Sequence, residues 1–198
     1  MKPALIIFVR NPIMGKVKTR LAATVGKEKA LEIYHLLLRH TFDITCNLPV
    51  SRYIFYEDFI NEDDMWVKEL YSSELQQGFD LGDRMHNAFE KVFSKGHTKV
   101  IIVGSDCFEL SADHIAQAFD ELDKHDAVIG PAVDGGYYLL GIKKLVPEIF
   151  SNIKWSTNSV FRNTLERLSM LSYKCAVLQE LTDVDEASDL DNRKLQAI

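Results

Sequence analysis

Two uninterrupted apolar runs, Ala4-Leu-Ile-Ile-Phe-Val9 and the Val100-Ile-Ile-Val103 that follows Lys99 in a strand expected over 99–103, most constrain how this chain can fold. A strand turns successive side chains to opposite faces, so a run with no polar residue on either face is buried on both. That is the pattern of a parallel sheet covered by helices. The segments between and after these runs fit. Ala30, Leu31, Tyr34, Leu37, Leu38 and Phe42 recur at helical spacing and predict a helix over 27–47, ended by Pro49. A second strand is expected at 53–56. Asn61 is placed to cap a helix reaching Leu70, and a turn at 78–82 leads into a helix over 83–93. Ser111 is expected to cap a helix ending near Leu122. A strand over 127–129, a turn at Gly130-Pro131 and a strand over 136–142 follow. Thr157 or Asn158 should cap a helix to about Leu171. A last strand is expected at 175–178, and a last helix from Glu186. The alternation predicts a three-layer α/β/α domain with a mostly parallel, mixed sheet.

The chain of 198 residues is of single-domain size, and with no repeat, low-complexity tract or linker it is read as one domain, 1–198. Its formal net charge of -6 is a poor match for nucleic acid or an anionic membrane. The positive charge is concentrated, however. Lys2, Arg10, Lys16, Lys18, Arg20 and Lys27 precede the first carboxylate, Glu28, which suggests an anion to be held there. Cys46, Cys107 and Cys175 lack the pairing and spacing of a disulfide framework or zinc site, and point to reduced thiols in a cytoplasmic protein. The run 4–9 is too short for a signal segment or a membrane span.

In open α/β sheets ligands bind beyond the carboxyl ends of the strands. That rule selects the segments with the least ordinary chemistry. After the first strand come Arg10, Gly15, Lys16, Lys18 and Arg20. Glycine lets the backbone come close to an anion, lysine supplies point charge, and arginine can grip a phosphate with two donors. The spacing is neither a Walker P-loop nor a dinucleotide fingerprint. At the end of the 99–103 strand stand Ser105 and Asp106, the latter well placed to ligate Mg²⁺, a hard cation that takes one or two carboxylates plus phosphate oxygens. Asp134, Gly135, Gly136 and Tyr137 read equally as a hairpin turn and as backbone in close approach to a ligand. Asp183 and Asp185, with Asp189, could complete a metal site or could favour the start of the final helix. Gln77, Gly78, Asp80 and Arg84 are candidates for a pocket wall, Trp155 reads as a core aromatic, and His86, His97 and His125 read as surface residues.

In this order the motifs resemble a bacterial, glycosyltransferase A-like family of the nucleotide-diphospho-sugar transferase superfamily, related to the 2-phospho-lactate guanylyltransferases and molybdenum cofactor nucleotidyltransferases. The stretches that carry the resemblance are Arg10-Asn-Pro-Ile-Met-Gly-Lys-Val-Lys-Thr-Arg-Leu-Ala22, Gln77-Gly-Phe-Asp-Leu-Gly-Asp-Arg-Met85, Gly104-Ser-Asp-Cys107, Gly130 through Gly141, and Asp183-Val-Asp185 with Asp189-Leu190. The resemblance implies a GT-A-like, Rossmann-like fold. It implies a transferase in which Lys18 and Arg20 lie near nucleotide phosphates, alongside Arg10, Gly15, Lys16, Gln77, Gly78 and Ser105. Asp106 would ligate Mg²⁺ or Mn²⁺, with Asp183 or Asp185 as the second carboxylate. The segment Asp134 to Tyr137 would line the acceptor side. Phe108, where a proline is usual, and Glu186, where a threonine is usual, depart from the pattern.

The expected activity is metal-dependent transfer from a nucleoside triphosphate or a nucleotide-sugar to a small-molecule acceptor, with Lys18, Arg20 and Asp106 at the reacting centre. Such catalysis is mostly positioning and charge stabilisation, so no Ser-His or Cys-His nucleophile is needed. The alternative is a nucleotide-binding module without turnover that serves a partner protein. A homodimer is one arrangement open to either.

Overall fold

The computed structural model describes residues 2–66 and 69–190. Among the described residues seven strands form one sheet: β1 (Ala4–Val9), β2 (Ser51–Tyr56), β3 (Ser72–Leu75), β4 (Val100–Val103), β5 (Ala127–Pro131), β6 (Tyr137–Ile142) and β7 (Cys175–Val177). Their order is β3-β2-β1-β4-β6-β5-β7. β1 lies inside the sheet beside the central β4, parallel to β2 and β4, with Ile7 opposite both Ile54 and Val103. β3 and β7 also pair in parallel, with β2 and β5. β6 alone runs against its neighbours β4 and β5. The fold is thus α/β with a mostly parallel, mixed sheet, as the apolar runs require.

Among the described residues five α-helices cover the two faces: α1 (Thr19–Val25), α2 (Lys27–Thr45), α3 (Leu81–Ser94), α4 (Ala112–Lys124) and α5 (Val160–Met170). The alternation along β1 divides the core. Leu5, Ile7 and Val9 pack with Leu21, Leu37, Leu38 and Ile115 from α1, α2 and α4. Ala4 and Ile6 pack with Met85, Phe89, Val92 and Leu168 from α3 and α5. Each such side chain, fully buried, contributes roughly 1.5–3 kcal/mol.

Several local expectations change. The described residues 61–66 form turns rather than a helix, because the Asn61 side chain accepts from the Asp63 N–H at 3.2 Å and caps a turn instead. β3 was not expected: Ser72-Ser-Glu-Leu75 has no apolar run and forms because β2 offers it an open edge. Gly130 and Pro131 do not turn but end β5. The register slips between them, which accommodates a proline that cannot donate to the ladder. The turn falls at 133–136, where Asp134 Oδ1 accepts from the Gly136 N–H at 2.8 Å and Gly135 sits at φ 87°. α3 starts at Leu81, capped by Asp80, which accepts from the Asp83 N–H at 2.8 Å. α5 starts at Val160 without a side-chain cap, since the Thr157 hydroxyl donates to the Lys154 carbonyl instead. Ala187–Leu190 is a short 3-10 turn, and the rest of the last expected helix lies outside the described residues. Among the described residues no helix is long and apolar enough to cross a membrane.

Ser111 caps α4 as expected. Its hydroxyl accepts from the His114 N–H at 3.3 Å, and the His114 ring reaches back to the Ser111 N–H at 3.2 Å. Ser111→Ala is expected to cost about 1 kcal/mol. At this chain length that lowers Tm by roughly 2–4 °C, checked by thermal denaturation; an unchanged Tm would mean that the cap carries no stability.

Candidate active site

The exits of β1, β4 and β5 and the segment after β7 enclose a cleft of about 440 Å³. It is built from the β1 side inward. Lys18 stands at the N-cap of α1 with a left-handed backbone, φ 47° and ψ 47°, a conformation that costs a non-glycine residue free energy and is found at functional sites. Its side chain is only 4% exposed. Its ammonium donates to Asp106 Oδ2 at 2.8 Å and to Asp185 Oδ1 at 3.0 Å, so residues far apart in sequence meet on one cation. Burial disfavours the charged lysine, but the carboxylates of Asp106 and Asp185 outweigh it and raise its pKa. Burial likewise opposes ionisation of Asp106, yet Lys18 more than offsets it and holds the carboxyl below its ordinary value. Arg20 approaches Asp185 at 4.0 Å, and Arg10 lines the mouth while pairing with Glu57 at 3.4 Å.

Asp183 also lines the cleft. Burial, reinforced by the charges of Asp106 and Asp134, pushes its carboxyl up to about 7. Asp189 plays a different part: its Oδ2 accepts from the backbone N–H groups of Asp185 and Glu186, at 3.0 and 2.7 Å, and fixes the segment that presents Asp185. The carboxylate–ammonium bridge therefore distinguishes the two aspartates left open by the sequence. Asp185 shares the Lys18 bridge with Asp106, while Asp183 faces the cleft beside it.

The structure brings together Arg10, Lys18, Arg20, Asp106, Asp134, Gly136, Tyr137, Asp183 and Asp185 in one lining. Other expected residues lie outside it. Gly15 packs near the Lys27 side chain, and Lys16 is exposed. Gln77 and Gly78 are exposed, with the Gln77 carbonyl accepting from Asn87. Gly135 backs onto Asn158 rather than the cleft. Ser105 is buried beneath it, 3.4 Å from both Asp106 Oδ1 and the Tyr34 hydroxyl. Arg84 also lies outside the lining and pairs with Glu57 at 2.9 Å.

Two parts of the lining are residues that the sequence reads as core positions or helix caps rather than as site residues. Tyr34, read only as a helix core position, is buried and joins two strand exits. Its hydroxyl accepts from the Arg10 N–H at 2.9 Å and donates to the Arg10 carbonyl at 3.1 Å, with Ser105 on its other side. A tyrosine among leucines on a buried helix face was the available signal, since a buried hydroxyl must find partners. The segment Trp155 to Asn158 forms the opposite wall. It docks there because Gly82 and Gly135 have no side chains: a Cβ would lie 2.4 Å from the Trp155 ring at the first and 2.2 Å from the Asn158 carbonyl at the second. Of the departures from the motif pattern, Phe108 packs against His40 with the rings tilted and their centroids 4.6 Å apart, and Glu186 is exposed.

The family described as an uncharacterized protein conserved in bacteria (DUF2064) matches residues 42–157. A solved structure from Desulfovibrio desulfuricans G20, described as a candidate nucleotide-diphospho-sugar transferase, is 33% identical, with 95% of this chain and 84% of that chain covered at a TM-score of 0.88. At lower identity the chain is similar in fold to CMP:2-keto-3-deoxy-manno-octonic acid synthetase complexed with CTP, at 12% identity, 100% and 98% coverage and a TM-score of 0.58. It is also similar to 4-diphosphocytidyl-2C-methyl-D-erythritol synthase from Anaerococcus prevotii DSM 20548, at 12% identity, 95% and 92% coverage and a TM-score of 0.61. No curated protein matches the chain by sequence.

Proposed function

Because the chain belongs to that bacterial family, DUF2064, and has the fold of the nucleotide-diphospho-sugar transferases it resembles, we propose that it transfers a group from a nucleoside triphosphate or nucleotide-diphospho-sugar to a small acceptor with the help of a divalent metal. One observation carries this reading: Lys18 is held between Asp106 and Asp185 where the strand ends open into the cleft, with Arg10 and Arg20 on the same side. Cations gathered at the end of β1 suit the phosphates of a nucleotide.

Among the described residues no group of three or more His, Cys, Asp or Glu side chains is set to hold a metal ion. Asp106 and Asp185 nevertheless meet at the Lys18 ammonium through one oxygen each, at 2.8 and 3.0 Å, and with side chains 42% and 41% exposed each keeps its other oxygen for a second cation. Paired carboxylates of this kind fit Mg²⁺ or Mn²⁺, hard cations that complete their shells with water and phosphate oxygens. Asp106 and Asp185 would hold the ion, with Asp183 beside them, and bound there it would neutralise charge on the phosphates. The rest falls to the chain's own groups. Arg10 and Arg20 orient the donor's phosphates, and Lys18 fixes the positions of both carboxylates. Tyr34 holds the Arg10 backbone and Ser105 in mutual register. Asp134 and Tyr137 face the acceptor.

The test is thermal stability against a panel of nucleoside triphosphates and nucleotide-sugars, with and without Mg²⁺ or Mn²⁺, followed by product analysis. A donor at 100 times its Kd adds about 2.7 kcal/mol. Release of pyrophosphate identifies nucleotidyl transfer, and release of a nucleoside diphosphate identifies glycosyl transfer. Binding without any product sinks the catalytic reading and leaves a nucleotide-binding module. No shift with any nucleotide sinks both.

A further inference from the structure

On the reading that the cleft holds a nucleotide donor, we infer that its acceptor is an uncharged, hydroxylated compound of the sugar or polyol class, and that phosphorylated or carboxylated acceptors are rejected. The inference rests on how charge is divided between the two walls. Arg10, Lys18 and Arg20 all stand on the wall at the end of β1. Each already faces a carboxylate: Glu57 at 3.4 Å, Asp106 and Asp185 at 2.8 and 3.0 Å, and Asp185 at 4.0 Å, respectively. The other wall is made by the β5–β6 turn and residues 155–158, and among the described residues no cation lines it.

That second wall is not neutral. Asp134 projects from the turn, and Asp183 lies where the walls meet. Among the described residues neither carboxylate forms a salt bridge; Asp134 accepts only from the Gly136 N–H, at 2.8 Å. A phosphate or carboxylate entering this half would meet the unpaired Asp134 carboxylate on a wall that, among the described residues, no cation lines, with the Asp183 carboxyl beside it and the donor's own phosphates across the cleft. A hydroxyl group, in contrast, donates to a carboxylate, and charge-assisted bonds of this kind are strong. The remaining lining suits a polyol. Tyr137 and Trp155 offer half-buried rings for the carbon skeleton, while Ser156 and Asn158, both exposed, offer further polar groups.

In the transfer the acceptor oxygen forms a bond either to the α-phosphorus of a triphosphate or to the anomeric carbon of a nucleotide-sugar. The bond broken releases pyrophosphate in the first case and the nucleoside diphosphate in the second. The acceptor's proton passes to a carboxylate of this wall and on to solvent.

The experiment uses the full chain with the donor that stabilises it and Mg²⁺ or Mn²⁺. Release of pyrophosphate or nucleoside diphosphate is measured with matched pairs that differ by one phosphate: glycerol and glycerol 3-phosphate, ribose and ribose 5-phosphate, glucose and glucose 6-phosphate. Expected is kcat/KM at least tenfold higher for the neutral member of a pair. In Asp134→Asn that ratio should narrow threefold or more, because the anionic twin gains relative to the neutral one. A merely structural role of Asp134 would lower both members alike and leave the ratio unchanged, which overturns the charge argument. An anionic twin used as well as its neutral partner overturns the inference, as does a bound donor whose breakdown no neutral compound accelerates; in both cases the donor reading stands. If no nucleotide binds at all, the donor reading fails and takes the inference with it.

Discussion

Asp106→Asn is expected to lower turnover by about 10²–10³-fold, the range seen when one preorganised electrostatic group is removed from a reacting centre, while leaving the fold intact. The two halves of that expectation have separate causes. Asparagine keeps the shape and one acceptor for the Lys18 ammonium, and Lys18 keeps its second partner, Asp185, at 3.0 Å. The Asp106 side chain is 42% exposed, so water screens the lost charge and the stability change should stay within about 1 kcal/mol. The catalytic loss has no such buffer. Asp106 is the carboxylate at the tip of β4 in the bridge with Lys18, and a neutral amide is a far weaker ligand for a hard cation. The measurement is product release at saturating donor, beside the metal-dependent shift in Tm. Wild-type turnover together with an undiminished metal effect would refute the role assigned to Asp106.

Gly135→Ala should be the most destabilising single change at the site, by about 3 kcal/mol. Its backbone has φ 87°, where an added Cβ is strained by roughly 1–2 kcal/mol. The same Cβ would lie 2.2 Å from the Asn158 carbonyl oxygen and 2.5 Å from its Cα. Those are backbone atoms that cannot rotate aside, so overpacking adds roughly 1–3 kcal/mol. The 155–158 segment is tied to this turn, with the Phe161 N–H donating to the Gly135 carbonyl at 2.9 Å. The substitution should therefore loosen one wall of the cleft as well as lower Tm, by roughly 6–12 °C on the usual scaling. Chemical and thermal denaturation check the first effect and donor affinity the second. A variant as stable as wild type would show that the turn relaxes without cost.

Legibility in the sequence followed the range of the forces involved. β1 and β4 were readable because burial on both faces leaves an unbroken apolar run. Ser111 was readable because a cap is a contact between neighbours in the chain. β3 was not, because an edge strand of mixed polarity is created by its partner's open edge rather than by its own pattern. Neither was the wall at Trp155 to Asn158, which is held by shape against two glycines distant in sequence. Gln77 and Gly78, named from the motif resemblance and as a pocket wall, are exposed and stand outside the lining.

The sequence by itself determined the layers of this protein and the strand exits at which charged groups would gather, since hydrophobic periodicity and strand-end placement are properties of contiguous residues. Only the tertiary structure decided which of those groups meet. It set the Lys18 ammonium between Asp106 and Asp185, made Tyr34 the link between two strand ends, and put Asp134 on a wall that, among the described residues, no cation lines. The reason is physical: a sheet joins strands by lateral pairing, so residues far apart in the chain come within a few ångströms at a shared edge, and charge interactions depend on that distance and on burial, not on separation in sequence.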